Sequence, residues 1–357
     1  MIKEIVSLSK ILIAVSTVIG DQKNLDLALE VVHQDLSDFK YQQFNSHGYN
    51  SILYYNTESF DTPFKIILNG QLDVAYAKAS QFTPYIKDGK LYGRGAYDMK
   101  GATAAMILAF KALAKKVNYP LALQLTTDQE LDGKYCTRYQ IERGVRGDFV
   151  LNTSTTELAI SNESKGNLRL RLTAPGKHAA SAYLWEGENA IWKMKKFLDK
   201  LEKEFPEPKD DSWVTTVNLG SIATTNKTVT TVPEDCEIYL DIKFVRQDKD
   251  TILEKIKTII PKDFIVEIVI NEPPHFTPAD NPFIPILGQA IKKITERPYQ
   301  FMKRPWSGTI RHYNTVGKHG VSLGPIGGGM HSDNEWVDIK SLEDYYKIIK
   351  EFLLSLE

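Results

Sequence analysis

The sequence predicts an α/β protein: a mostly parallel sheet with helices on both faces, interrupted by an inserted ferredoxin-like α+β domain. Three observations lead there. Short apolar runs at residues 65–69 (KIILN) and 121–126 (LALQLT) read as strands buried on both faces of a sheet. Helical periodicity alternates with such runs through residue 151, the order of repeated strand–helix units. From about Lys165 the pattern changes to alternating leucine and charged residues, which suits strands with one solvated face.

Taken in order, residues 1–40 predict two helices: Ile5, Leu8, Ile11 and Leu12 share one face, residues 25–36 form the second, and residues 16–21 separate them. The 65–69 strand closes on Gly70, and loops after such strand ends are where α/β folds place function. Asp98 precedes a helix over 99–115, followed by a strand over 121–126, a helix over 135–143 and a strand over 149–151. Leu168, Leu170 and Leu172 begin the inserted pattern, and helices over 189–201 and 251–260 with a strand over 264–270 complete a β-α-β-β-α-β order. Pro273 and Pro274 close it. After Asn281 the helix–strand pattern returns and ends in an amphipathic helix over 342–354. The expected organisation is a discontinuous α/β domain (1–164 and 278–357) around an α+β insertion (165–277).

Composition narrows the functions available. Forty-four Lys plus Arg against 45 Asp plus Glu give a net charge of −1, so no overall field attracts nucleic acid or an anionic membrane, and a small-molecule ligand is expected. Two cysteines, Cys136 and Cys236, are too few for a disulfide framework and suit a reducing cytoplasm. The apolar run at residues 11–15 is too short for a signal or membrane segment.

Four segments carry chemistry: Gly70-Gln-Leu-Asp-Val74, Tyr92-Gly-Arg-Gly-Ala-Tyr-Asp-Met-Lys-Gly101, Thr126-Thr-Asp-Gln-Glu130 and Met330-His-Ser-Asp-Asn-Glu-Trp336. Together they resemble the M20 metallopeptidase and amidohydrolase family, of the acetylornithine deacetylase and succinyl-diaminopimelate desuccinylase type. The resemblance implies two zinc ions at the strand ends, a bridging aspartate, and a glutamate that takes the proton of a shared water. Carried over by position, Asp98 is the bridging ligand, Glu130 and His331 complete one zinc site, and Asp73 orients the first histidine ligand of the other.

The departures fall on charge and ligation. Gln71 stands where the resemblance expects that histidine, and Ser154 where it expects a carboxylate. Gln129 occupies the position of the glutamate base, and an amide cannot accept the water's proton. Asp73 and Gln129 are thus the catalytic positions; Arg311, Asn226 and Gly328 are the substrate-binding candidates, Arg311 as a carboxylate clamp. The Gly327–Gly329 run reads as a loop presenting His331. The lid-like segment after Ala174 has Ala180-Ser181 where a His-Ser pair is expected, with His178 two residues earlier. The reading that follows is a hydrolytically impaired scaffold, a natural pseudoenzyme or an altered sequence, with at most one well-formed zinc site. The alternative is an active deacylase of small N-acyl amino acids. The resemblance also implies a homodimer formed through the inserted lid domain.

Overall fold

The computed structural model describes residues 1–356. The chain divides into two compact units: one comprises Met1–Glu163, Phe276–Lys303 and the chain from Gly308 onward, the other Ser164–His275 with Arg304–Ser307.

In the first unit the strands Leu121–Thr126, Phe64–Gln71, Gly147–Thr153 and His319–Leu323 lie side by side and parallel, in that order, at the middle of a larger mixed sheet. Ile66 and Leu68 turn to one core, shared with the helices Ile2–Ala14, Gly101–Leu113, Phe283–Thr295 and Ile339–Leu354. Ile67 turns to the other, beside Ile141 and Tyr313 from the helices Thr137–Glu142 and Ile310–Asn314. Burial on both faces, worth about 1.5–3 kcal/mol for each large aliphatic side chain, is why these strands lack a polar alternation. The mixed α/β class and its largely parallel sheet are as the sequence predicts.

The antiparallel hairpin Lys40–Ser46 with Tyr49–Tyr55 is an addition to the predicted elements. Its first strand (KYQQFNS) is mostly polar because it forms the sheet's outer edge, so hydrophobic periodicity does not announce it.

A small antiparallel sheet matters more for function. It joins Tyr85–Lys87, Lys90–Tyr92, Trp336–Asp338 and Gly327–Gly328, and so brings the segments around Asp98 and His331 together although they are far apart in sequence.

The second unit is a four-stranded antiparallel sheet with the order Thr216–Ala223, Asp235–Phe244, Gly166–Pro175, Ile265–Glu272. Leu168, Leu170, Leu172, Ile238, Leu240 and Ile242 face a core completed by Phe197 and Ile256, from the helices Ala190–Glu204 and Ile252–Ile259. On the solvated face Arg171 pairs with Glu237 and Glu267.

Candidate metal site

The carboxyl ends of the parallel strands assemble the candidate site. Gln71 ends the Phe64–Gln71 strand, Gln129 and Glu130 follow the Leu121–Thr126 strand, and Ser154 is the first residue beyond Gly147–Thr153. Asp98 reaches the site by a local change of path. The helix predicted over 99–115 runs only from Gly101 to Leu113, and Asp98 and Met99 are non-helical (φ −119°, ψ 83°; φ −148°, ψ 31°). The Glu335 carboxylate accepts the backbone N–H groups of Tyr97 and Asp98 at 3.0 and 2.9 Å, and the chain bends there. The helix is N-capped at Lys100, not at Asp98, whose carboxylate reaches His331 instead.

Asp98, Glu130 and His331 come together, with one ligand atom from each lying within 4.8 Å of the others. His331 Nε2 is 3.1 Å from Asp98 Oδ2 and 3.7 Å from Glu130 Oε1. The His331 backbone is left-handed (φ 59°), a sparsely populated conformation for a non-glycine residue and frequent at functional sites. The hydrogen bond to Asp98 and then the neighbouring Glu130 carboxylate push the His331 imidazole up to about 10. Two carboxylates and one imidazole form a donor set suited to a divalent cation of the zinc class.

On the other side of Glu130 the chemistry is neutral. Gln71 Nε2 donates toward Gln129 Oε1 at 3.0 Å, Asn152 Oδ1 at 3.1 Å and Thr309 Oγ1 at 3.2 Å. The orientation of this amide is imposed from behind. Asn152 Nδ2 donates to the Thr153 carbonyl at 2.7 Å and to Ser322 Oγ at 3.0 Å, so its oxygen faces Gln71, whose nitrogen end turns toward it and whose Oε1 is buried without a hydrogen-bond partner. The polar layer continues below the site through Asn69, Gln124, Gln140 and Tyr313, joined by hydrogen bonds of 2.6–2.9 Å. Ser154 is buried at the strand end, its N–H donating to the Leu323 carbonyl at 3.3 Å. Asn152 and Thr309 escape a motif-based reading because neither is a ligand type; only the fold places them behind Gln71.

Asp73 has a different client from the one expected. Its Oδ2 accepts the Glu130 N–H at 2.8 Å, so it holds the turn carrying Gln129 and Glu130, where the sequence predicts an orienting contact to the residue at position 71. Its Oδ1 is buried with no hydrogen-bond partner, and burial pushes the carboxyl up to about 8. A carboxyl raised in the folded state contributes stability that is fully present below its unfolded value, near 4, and is lost as pH rises through about 8. Asp73→Asn removes this loss. In chelator-treated protein its stability relative to the parent should improve by on the order of 3 kcal/mol between pH 5 and pH 8, read by urea unfolding. An equal pH dependence in both proteins would refute this.

Each of the three substrate-binding candidates has local structural partners. Arg311, predicted as a carboxylate clamp, is fully buried; it donates to the Gly308 and Asp132 carbonyls at 2.9 and 2.6 Å and pairs with the Asp132 carboxylate at 3.5 Å. These contacts make it a support for the loop after Glu130. Asn226 belongs to the second unit, where Nδ2 donates to the Thr228 carbonyl and Oδ1 accepts from Thr231 Oγ1, each at 2.7 Å, tying its own loop. Gly328 pairs with Trp336 in the small sheet, and a Cβ there would lie 3.1 Å from the Trp336 indole nitrogen. Its position three residues before His331 makes it part of the frame that presents the imidazole.

Comparison with known proteins identifies the family and the fold. The sequence matches the family described as Peptidase family M20/M25/M40 over residues 67–355. The succinyl-diaminopimelate desuccinylase of a Nitratiruptor species is 24% identical over 376 residues, covering 99% of this chain and 100% of that protein. That of Wigglesworthia glossinidia brevipalpis is 27% identical over 329 residues, covering 82% and 85%. An M20 family metallo-carboxypeptidase from Sulfolobus solfataricus has the same fold, with a TM-score of 0.79 at 17% identity over 98% of each chain. With a family match that spans most of its length and a group of two carboxylates and an imidazole able to hold a metal ion, the chain belongs to the M20/M25/M40 peptidase family.

Proposed function

We propose that this chain is an M20-type metallo-amidohydrolase scaffold that binds one zinc ion through Asp98, Glu130 and His331 and hydrolyses amides poorly or not at all. The observation that carries this reading is the 3.0 Å contact between the Gln71 and Gln129 amides, beside the triad, at the positions where the family resemblance expects a metal-binding histidine and a proton-accepting glutamate. A second cation there would meet a neutral carboxamide, a much poorer zinc ligand than an imidazole. Gln129 can hold a water but cannot take its proton. When bound, zinc supplies Lewis acidity toward a carbonyl or a water. The protein's own contribution is then to hold Asp98 and Glu130 in place and to deliver a neutral His331.

The ligand class we propose is a small N-acyl amino acid, and the names of the relatives direct N-succinyl compounds as first probes. The intact triad supports a second reading, an active deacylase working from one metal. Metal analysis with hydrolysis assays separates the two. One zinc per chain and no turnover supports the impaired scaffold, one zinc with turnover supports the deacylase, and two zincs would sink the first reading.

The same proposal includes a homodimer formed through the second unit. Its outer strands expose Leu219 and Ile222 on one edge and Ile265 and Ile268 on the other, unpaired edges of the kind that add to another chain. A monomer by gel filtration at micromolar concentration would exclude it. Among the described residues no helix is long and apolar enough to cross a membrane. Both cysteines are free and buried, which supports a reducing cytoplasm as the proposed location.

A further inference from the structure

We propose that Glu335 is a positioning residue for the metal site, its carboxylate locking the turn that carries Asp98 to the loop that carries His331. This rests on the reading of Asp98, Glu130 and His331 as metal ligands and adds a residue that the motif alone leaves without a role.

The two oxygens of Glu335 are used differently. Oε2 accepts from Arg94 Nη1 at 2.6 Å, while Oε1 accepts both the Tyr97 N–H at 3.0 Å and the Asp98 N–H at 2.9 Å. Arg94 and Glu335 are almost fully buried, and Arg94 Nη2 donates to the Tyr76 carbonyl at 3.3 Å. A buried ion pair is seldom more stabilising than an apolar pair of the same volume, so packing alone does not account for these two residues. What the carboxylate adds is an acceptor for two N–H groups at the bend that takes Asp98 out of helical geometry.

The other end of the link is equally fixed. Glu335 lies four residues after His331, and the intervening loop is held by Gln81 Nε2 to the Ser332 carbonyl at 2.9 Å, by the Lys78–Asp333 ion pair, and by the Gly93 N–H to the Glu335 carbonyl at 3.1 Å. The imidazole and the Asp98 carboxylate, 3.1 Å apart, are therefore tied to the two ends of one short segment. Support of this kind orients metal ligands, and its loss typically weakens metal affinity about 10-fold to 100-fold.

Two charge-neutral double variants separate positioning from packing. Arg94→Met/Glu335→Leu removes both charges and the acceptor for Asp98. Arg94→Gln/Glu335→Gln removes both charges but leaves an oxygen at position 335. With each protein shown to be folded by a cooperative thermal melt, zinc affinity is measured by calorimetry and ligand geometry by the visible spectrum of the Co2+-loaded protein. The apolar double is expected to bind zinc about 10-fold to 100-fold more weakly with an altered spectrum, and the amide double within about threefold of the parent. Unchanged affinity in the apolar double, or equal losses in both, would overturn the positioning role. If the apolar double does not fold, Glu335→Asp decides: it keeps the charge but shortens the reach, and binding about tenfold weaker is expected, parental affinity being the contrary result. A parent chain that takes up no zinc would overturn the metal reading and this inference with it; a parent that binds zinc beside unaffected variants overturns the inference alone.

Discussion

The triple variant Gln71→His, Gln129→Glu, Ser154→Glu is expected to raise zinc content from one to two ions per chain and to raise hydrolysis of N-acyl amino acids on the order of 100-fold to 10,000-fold. The rate term is the contribution of a general base, absent while position 129 is an amide. The stoichiometry term follows from replacing a carboxamide and a hydroxyl by an imidazole and a carboxylate, both genuine zinc ligands. Gln71→His also offers a ring N–H to position 73, where Asp73 Oδ1 is buried without a hydrogen-bond partner. The substitution disturbs the polar layer, because Asn152 and Thr309 lose the amide they now receive. Single variants are therefore expected to gain little. Metal analysis and initial rates decide the matter: a folded triple variant that still holds one zinc and shows the parent's rate would refute the assignment of these three positions.

Zinc affinity is expected to rise about tenfold per pH unit, roughly 100-fold between pH 6 and pH 8, because binding displaces one proton from His331. The direction follows from the imidazole being held up to about 10 by Asp98 and Glu130. Below that pH the ring is cationic, zinc needs its neutral form, and each unit of added pH removes a tenfold excess of the competing proton. In the metal-free protein the same ionisation acts on folding. The stability from the paired imidazolium is fully present below its unfolded value, near 6.5, and is lost as pH rises through about 10. His331→Ala should abolish the proton-linked slope and weaken binding at every pH. Competition against a chromophoric chelator at several pH values measures both. Affinity that stays flat from pH 6 to pH 8 in the parent would show that the His331 proton does not compete with zinc.

Hydrophobic pattern and local motif determined much of this protein by sequence alone. Residues 65–69 and 121–126 declare doubly buried strands because a strand covered on both faces carries a mostly apolar run without polar alternation, and Leu168, Leu170 and Leu172 declare a half-exposed one. Asp98, Glu130 and His331 were legible through the resemblance of their segments to the M20 family, and the tertiary structure brings them together. Other features depend on distant contacts and leave no local trace. The polar Lys40–Ser46 strand forms only because Tyr49–Tyr55 supplies its hydrogen bonds. The helix expected from residue 99 begins at Gly101 because Glu335, more than 200 residues away, takes the N–H groups before it. Arg311 reads as a clamp until folding surrounds it with carbonyls and Asp132. Which end of the Gln71 amide turns to Asn152 is set by Asn152, itself oriented by the carbonyl of Thr153 and the hydroxyl of Ser322. Periodicity records which side chains avoid water, and so it reveals strands, helices and their buried faces. The direction of a hydrogen bond belongs to a pair of groups brought together by the fold, and only the tertiary structure decides it.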